Sequence, residues 1–301
     1  MRHRFAFLTT FITILALMLG NLVVATNSGD ACGTTYPQCN GQWIPDFTIN
    51  VAIEYSHRVF TMFLGFFILI NSILAWRRRY PGEKSVKILA PLTSFFLLLQ
   101  AATGGVNVVL SSPPGFTTLD VNNSLLLLVS LVFLAVALKR YPINELEPQH
   151  IEERRKLKII STPSLIVFLL LFFEIILGAF FKHSRASKIS FGQEPDKLLF
   201  ASPLIADTIY MFHTIMAVVV VVYAFWFLFY ALKAQMLVIP AMIVMVLVIL
   251  NGVIGMLAHY MDLANWSSSL HMFTSIVTLA VISYILAKAY LGFHYLIPKQ
   301  K

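Results

Sequence analysis

The segment IISTPSLIVFLLLFFEIILGAFF, residues 159–181, indicates the fold class because it contains no basic residue and one acidic residue, Glu174. A helix needs about 20 predominantly apolar residues to cross the roughly 30 Å hydrocarbon core of a bilayer. The apolar residues here run continuously, unlike the short alternating segments of a membrane β-barrel. Because every backbone polar group must be satisfied inside lipid, the segment is predicted to be a transmembrane helix.

Seven further segments share this character, so the sequence predicts an all-α polytopic membrane protein with eight transmembrane helices. The chain has 301 residues, of which 58% are hydrophobic and 12% are charged. Soluble domains are about half apolar and a quarter charged. This composition excludes a soluble enzyme, a disordered protein and a nucleic-acid-binding domain. The eight predicted spans are 5–26, 58–76, 88–110, 119–138, 159–181, 204–232, 235–258 and 268–292.

The distribution of basic residues predicts the orientation in the plasma membrane. If the first span is retained, 17 of the lysines and arginines lie on the side of both termini and 5 on the other. Basic loops stay in the cytoplasm, so both termini are predicted to be cytoplasmic. The first apolar run, 5–26, is longer than the roughly 7–15 residues of a signal-peptide core, which favours a retained helix. The net charge of +8 therefore needs no nucleic-acid partner.

A charged segment divides the eight spans into two sets of four, which predicts two pseudo-repeated four-helix bundles. The predicted units are an N-terminal half, 1–140, a cytoplasmic linker, 141–158, and a C-terminal half, 159–301.

Four positions correspond between these halves. His57 and His213 lie near the outer ends of the second and sixth spans. Asp120 follows Gln100 by 20 residues, and His271 follows Asn251 by 20 residues. Three of the four positions are therefore histidine.

Two histidines at matched depth in one four-helix unit indicate a haem site. Imidazole suits iron, and haem iron takes axial ligands from opposite faces. We predict that His213 and His271 bind the iron, with His259 as an alternative ligand. Gly252 and Gly255 would let their helix approach the flat macrocycle closely. A lone histidine would more often be an interhelical hydrogen-bonding residue.

The first half differs, because Glu54, His57 and Arg58 share one helix face. One interpretation is that Arg58 simply pairs with Glu54. The other gives Glu54 a role in handling protons or stabilising charge beside a bound cofactor or substrate. Glu174, the one acid deep inside a span, must be protonated, paired or directed into the bundle.

Cys32 and Cys39 are the only cysteines and share the first external loop. The outer side of a bacterial membrane is oxidising, which favours a disulfide between them. Two unpaired thiols are the alternative, and a metal site lacks the nearby histidine or third cysteine that it would need.

These features together resemble the haem A synthase family over essentially the whole chain. The resemblance is carried by GNLVVATNSGDACGTTYPQCNG (20–41), EYSHR (54–58), LLLQAATGG (97–105), ILGAFFKH (176–183) and the histidines His213 and His271.

The resemblance implies an enzyme that oxidises the C8 methyl group of haem O to a formyl group, giving haem A for terminal oxidase assembly. His213 and His271 would hold the cofactor haem B. His57 would face the iron of the substrate haem, beside Arg58 and Asp120, and Glu54 would be the catalytic carboxylate. The external disulfide would be Cys32–Cys39. Expected partners are the bilayer, a haem O synthase, an electron donor and copies of the same chain in a trimer.

The chain departs from the family pattern at two of these positions. Asp120 stands where the family has a fourth histidine. Thr214 stands where the family usually has an arginine directly after the histidine that corresponds to His213. These departures favour a second hypothesis, a membrane b-type cytochrome that transfers electrons without modifying haem. A third hypothesis is a transporter that uses Glu54 and Glu174 as coupling acids.

Overall fold

The computed structural model describes residues 2–77, 84–139, 148–194, 199–200, 202–261 and 265–295. Within these ranges the chain forms nine α-helices, and the only strand-like pairing is an isolated bridge between Cys39 and Gln42. The helices are α1 (Arg2–Ala25), α2 (Ile49–Trp76), α3 (Lys84–Val109), α4 (Phe116–Leu138), α5 (Pro148–His183), α6 (Ala186–Ser190), α7 (Pro203–Ala234), α8 (Val238–Tyr260) and α9 (Asn265–Tyr295).

Eight of the described helices, all but α6, are long and apolar enough to cross a membrane. This confirms the predicted all-α polytopic fold and the predicted number of spans. The short helix α6 lies in the loop between the fifth and sixth spans and was not predicted.

Two helices begin well before the apolar runs that identified them. Helix α2 begins at Ile49, where the side chain of Thr48 accepts a hydrogen bond from the backbone N–H of Val51. Helix α5 begins at Pro148, so residues 148–158 of the predicted linker are helical. The predicted boundaries were taken from the apolar runs, whereas these two helices continue into more polar sequence beyond those runs.

Each set of four spans forms a closed ring of neighbours. In the first set α1, α2, α3 and α4 pack in succession, and α4 packs back against α1. In the second set α5, α7, α8 and α9 pack in succession, and α9 packs back against α5. This arrangement supports the predicted pair of four-helix bundles, and the internal repeat and domain boundaries remain predictions.

The two rings meet along α4 and α9. Leu125 and Leu128 of α4 belong to the same buried cluster as Ile276, Leu279 and Ile282 of α9. The centre of the molecule is therefore an apolar contact between corresponding helices of the two sets.

The loop between α1 and α2 contains the Cys32–Cys39 disulfide, and both cysteines are fully buried. This confirms the predicted pairing over the two alternatives.

Candidate functional site

His213 and His271 face each other across the second ring of helices. His213 belongs to α7 and His271 to α9, and these two helices stand diagonally, with α5 and α8 packed between them. The two imidazole ring centres are 6.3 Å apart, and the ring planes make an angle of 86°. The structure therefore brings together the two histidines that the sequence paired.

Both imidazoles are contacted by the protein at their Nδ1 atoms. Nδ1 of His213 lies 2.8 Å from Oε1 of Glu174. Nδ1 of His271 lies 3.0 Å from the backbone carbonyl oxygen of Asn251. These contacts leave the Nε2 atom of each ring for a metal. Partners on the remote nitrogen orient histidines that bind metals.

Glycines make room for both rings. A Cβ atom at Gly178 of α5 would lie 2.8 Å from Cε1 of His213, and one at Gly255 of α8 would lie 3.0 Å from Cε1 of His271. Only a residue without a side chain allows such close approach. Of the predicted glycine pair, Gly255 contacts the imidazole, whereas a Cβ at Gly252 would meet nothing within 4 Å.

A cation lies at the end of this ring where α5 ends and α9 begins. Nζ of Lys182 donates to Oγ of Ser268, which joins the end of α5 to α9 at 3.0 Å. Phe181 stacks on His213 with ring centres 6.2 Å apart. The alternative ligand His259 is exposed, and its ring lies 4.7 Å from that of Phe191.

Glu54 and Arg58 form a buried ion pair in the first half, with 2.6 Å between Oε1 and Nη2. Oε2 of Glu54 accepts the backbone N–H of Cys32 at 2.7 Å. Arg58 also donates to the carbonyl oxygens of Gly33, Thr35 and Gln38. The ion pair is the one that the pairing interpretation described, and its additional contacts with the loop, which were not predicted, hold the disulfide loop against α2.

His57 and Asp120 contact neighbouring helices of the first ring. A Cβ at Gly20 of α1 would lie 3.1 Å from Nε2 of His57. Oδ1 of Asp120 accepts hydrogen bonds from Gln100 at 2.8 Å and from Thr103 at 3.3 Å, both on α3. The contact between Gln100 and Asp120 joins α3 to α4; in the sequence this pair served only to align the two halves.

The four corresponding positions share one packing arrangement. Each of the three histidines lies against a glycine of an adjacent helix, as described above. Asp120 does the same, since a Cβ at Gly104 would lie 3.4 Å from its Oδ1. The pairs occur on corresponding helices of the two rings, which supports the predicted correspondence between the halves.

Sequence reasoning identified Glu174 but not its partner. Glu174 and Gly178 are four residues apart on α5, so both reach the same face of the helix, and both contact His213. No local pattern in the sequence indicates the contact of Glu174 with His213 or that of Lys182 with Ser268.

Comparison with known proteins adds independent information. The model of the cytochrome oxidase assembly protein family COX15-CtaA matches residues 46–283. The haem A synthase of Bacillus pumilus is 27% identical over 288 residues, covering 92% of this chain and 91% of that protein. The haem A synthase of Halalkalibacterium halodurans is 31% identical over 184 residues, covering 61% and 60% of the two chains. The haem A synthase of Geobacillus kaustophilus is 42% identical over 106 residues, covering 35% and 33%.

Proposed function

Because the chain belongs to the cytochrome oxidase assembly protein family, we propose that it is a haem A synthase that oxidises the C8 methyl group of haem O to a formyl group. The product, haem A, serves terminal oxidase assembly. The chain is a haem-dependent oxidoreductase embedded in the membrane. The observation that carries the proposal is the facing pair of imidazoles in the second ring.

The geometry of this pair fits a haem iron. Metal–imidazole bonds are about 2 Å long, and two imidazoles on opposite sides of one metal place their ring centres roughly 6 Å apart. The observed separation is 6.3 Å. His213 and His271 would therefore hold haem B through their Nε2 atoms. Bound haem B supplies the one-electron redox chemistry that no side chain provides.

The residues around the pair position and protect the cofactor. Glu174 and the carbonyl of Asn251 orient the two rings, and the glycines let the helices close around them. Lys182 provides positive charge at the outer end, where the acidic groups of a macrocycle would reach water. The surrounding apolar helices exclude water from the centre.

We assign the substrate haem O to the first ring. His57 occupies the position there that His213 occupies in the second ring, and it would face the substrate iron. Asp120 occupies the position of His271, with Arg58 and Glu54 at the outer end. Glu54 would act as the catalytic carboxylate, while its ion pair with Arg58 holds the external loop over the site.

One observation favours the second candidate, a membrane b-type cytochrome. Oδ1 of Asp120 is bound by Gln100 and Thr103, and a carboxylate replaces the imidazole expected there. If the first ring cannot bind haem O without this histidine, the haem of the second ring would be the only one, and it would transfer electrons.

The extracted haem distinguishes these functions. The chain is expressed with a haem O synthase, purified in detergent, and its haems are separated by chromatography. A synthase yields haem A or its hydroxylated precursor together with haem B. Haem B alone under these conditions would identify the cytochrome, and a pigment-free protein would exclude both.

The ligand assignment has its own test. We expect His213→Ala and His271→Ala each to lose most of the bound haem B, because each removes one of the two imidazoles that would hold the iron. His259→Ala is the control and should retain it, since His259 lies at an exposed position. Loss of haem in His259→Ala with retention in His271→Ala would reverse the assignment. Haem content is measured by the pyridine haemochrome spectrum.

The proposed setting follows from the same family. The protein lies in the plasma membrane with both termini in the cytoplasm, receives haem O from a haem O synthase and electrons from a donor, and forms homo-oligomers, with a trimer expected. The many exposed apolar side chains of α2 and α3, including Phe63, Phe66 and Leu98, suit contacts with lipid or with other copies.

A further inference from the structure

Glu174 is a carboxylate in the middle of an apolar membrane helix. It is 8% exposed and stands in the sequence FFEII of α5. Removing a carboxylate from water is costly unless it gains a partner. Its Oε1 lies 2.8 Å from Nδ1 of His213, an ion-pair distance at which the angle is not that of a hydrogen bond. Neither this Nδ1 nor Oε2 of Glu174 has a hydrogen-bond partner within the described residues. The contact with His213 is therefore the interaction that offsets the cost of burying this carboxylate.

Two contacts from α5 constrain the ring of His213. Glu174 lies at Nδ1, and Gly178, one helical turn later, leaves space that a Cβ would fill at 2.8 Å from Cε1. A polar contact on one ring atom and a close backbone on the next limit rotation of the imidazole. They also leave Nε2 as the ring nitrogen without a contact from Glu174.

The two imidazoles have unequal partners. His213 contacts a carboxylate, whereas His271 contacts the backbone carbonyl of Asn251. A carboxylate on the remote nitrogen makes an imidazole a stronger electron donor to its metal. A stronger donor stabilises the more positive, oxidised iron and lowers its reduction potential.

We propose that Glu174 is a positioning residue that holds the imidazole of His213 toward the haem iron and lowers the reduction potential of that iron. The proposal rests on the proposed function in one respect, the binding of haem by His213. It concerns the second ring and requires no particular reaction in the first.

The test compares Glu174→Gln, Glu174→Leu and the control Glu152→Gln on the full-length protein loaded with haem. Gln keeps the shape and an acceptor but loses the charge, and Leu loses both. Glu152 is on the same helix, is exposed, and pairs with Arg155 and Lys156. The measurements are haem content, reduction midpoint by spectroelectrochemical titration, the electron paramagnetic resonance spectrum of the ferric haem, and detergent elution profile.

We expect Glu174→Gln to retain haem with a higher midpoint potential and a changed ferric spectrum. Glu174→Leu should lower haem affinity by about 10- to 100-fold, as for other residues that orient metal ligands. Glu152→Gln should match the wild type. Loss of haem in Glu174→Gln with an unchanged elution profile also supports the proposal, because only the ligand is then affected.

Two results would overturn the inference. The first is Glu174→Gln with bound haem and with a midpoint and ferric spectrum equal to those of the wild type. The second is aggregation of both Glu174 variants, which would make the residue structural. If the wild type itself binds no haem, the proposed function fails instead, so the two failures are distinguishable.

Discussion

At the scale of single residues, Glu54 is a buried carboxylate whose contacts hold the loop between α1 and α2. Both of its oxygens are engaged, one by Arg58 and one by the backbone N–H of Cys32. Breaking a buried ion pair by removing one partner costs about 3–5 kcal/mol. Glu54→Ala would therefore remove the proposed catalytic carboxylate and also detach the loop from α2. Glu54→Gln keeps the size of the side chain and so separates these two effects better.

We expect Glu54→Gln to reduce conversion of haem O by roughly 10²- to 10⁴-fold, the usual contribution of a proton-transferring side chain. Haem B should be retained, because His213 and His271 lie in the other ring. The matched control is Asp30→Asn, an exposed acid in the same loop. Conversion is measured by chromatography of extracted haems, and undiminished conversion would remove Glu54 from the mechanism.

At the scale of elements, the spans were predictable because lipid imposes length and apolarity, but the helix ends were not. Hydropathy locates the part of a helix inside hydrocarbon. The first turns of α5 remain helical in water, where Glu152 pairs with Arg155 at 3.4 Å and with Lys156 at 3.8 Å. Such pairs stabilise a helix without adding to its apolar run.

The candidate site was predictable to the extent that matched spacing paired positions of the two halves. The separation of 20 residues paired Asp120 with His271, but the contacts of Gln100 with Asp120 and of Asn251 with His271 appear only in the structure. The contact of Glu174 with His213 depends on the rotation of two separate helices about their axes, which no local pattern specifies. The glycine contacts of the imidazoles likewise depend on how closely neighbouring helices pack.

The glycines of α8 provide a prediction within one helix. Gly255→Ala should lower the haem content and stability, because its Cβ would lie 3.0 Å from Cε1 of His271. Overpacking of this kind costs about 1–3 kcal/mol. Gly252→Ala is the control, since its Cβ would meet nothing within 4 Å and alanine favours a helix by about 1 kcal/mol. Equal haem content and equal thermal midpoints in the two variants would contradict the packing argument.

The loop between α1 and α2 gives a second prediction at this scale. Cys39→Ser should destabilise the loop by about 2 kcal/mol, at the lower end of typical disulfide contributions. The loop should nevertheless stay attached to α2, because Arg58 binds three of its carbonyl oxygens. Combining Cys39→Ser with Arg58→Met should therefore increase protease cleavage of the loop far more than either change alone. Purely additive cleavage rates would show that the two restraints are independent.

At the scale of the whole molecule, the two rings meet along α4 and α9, with further contacts of α1 with α9 and of α4 with α5. Three spans, α2, α3 and α4, lie between the loop of Cys32 and the start of α5. Because this number is odd, the two segments lie on opposite sides of the membrane. The predicted orientation therefore determines which ring ends face the oxidising exterior. It requires the disulfide loop, Lys182 and Ser268 to lie outside, and the charged start of α5 to lie in the cytoplasm.

Cysteine labelling in intact cells tests that orientation. The two native cysteines are joined in a disulfide, so the wild type should not react with a membrane-impermeant maleimide and is the control. Asn50→Cys, exposed at the start of α2, should be labelled in intact cells, because retention of the basic loops in the cytoplasm places this end outside. Lys158→Cys, exposed near the start of α5, should be labelled only after the cells are opened. The reverse pattern would invert the topology and place the outer end of the haem site, with Lys182, in the cytoplasm.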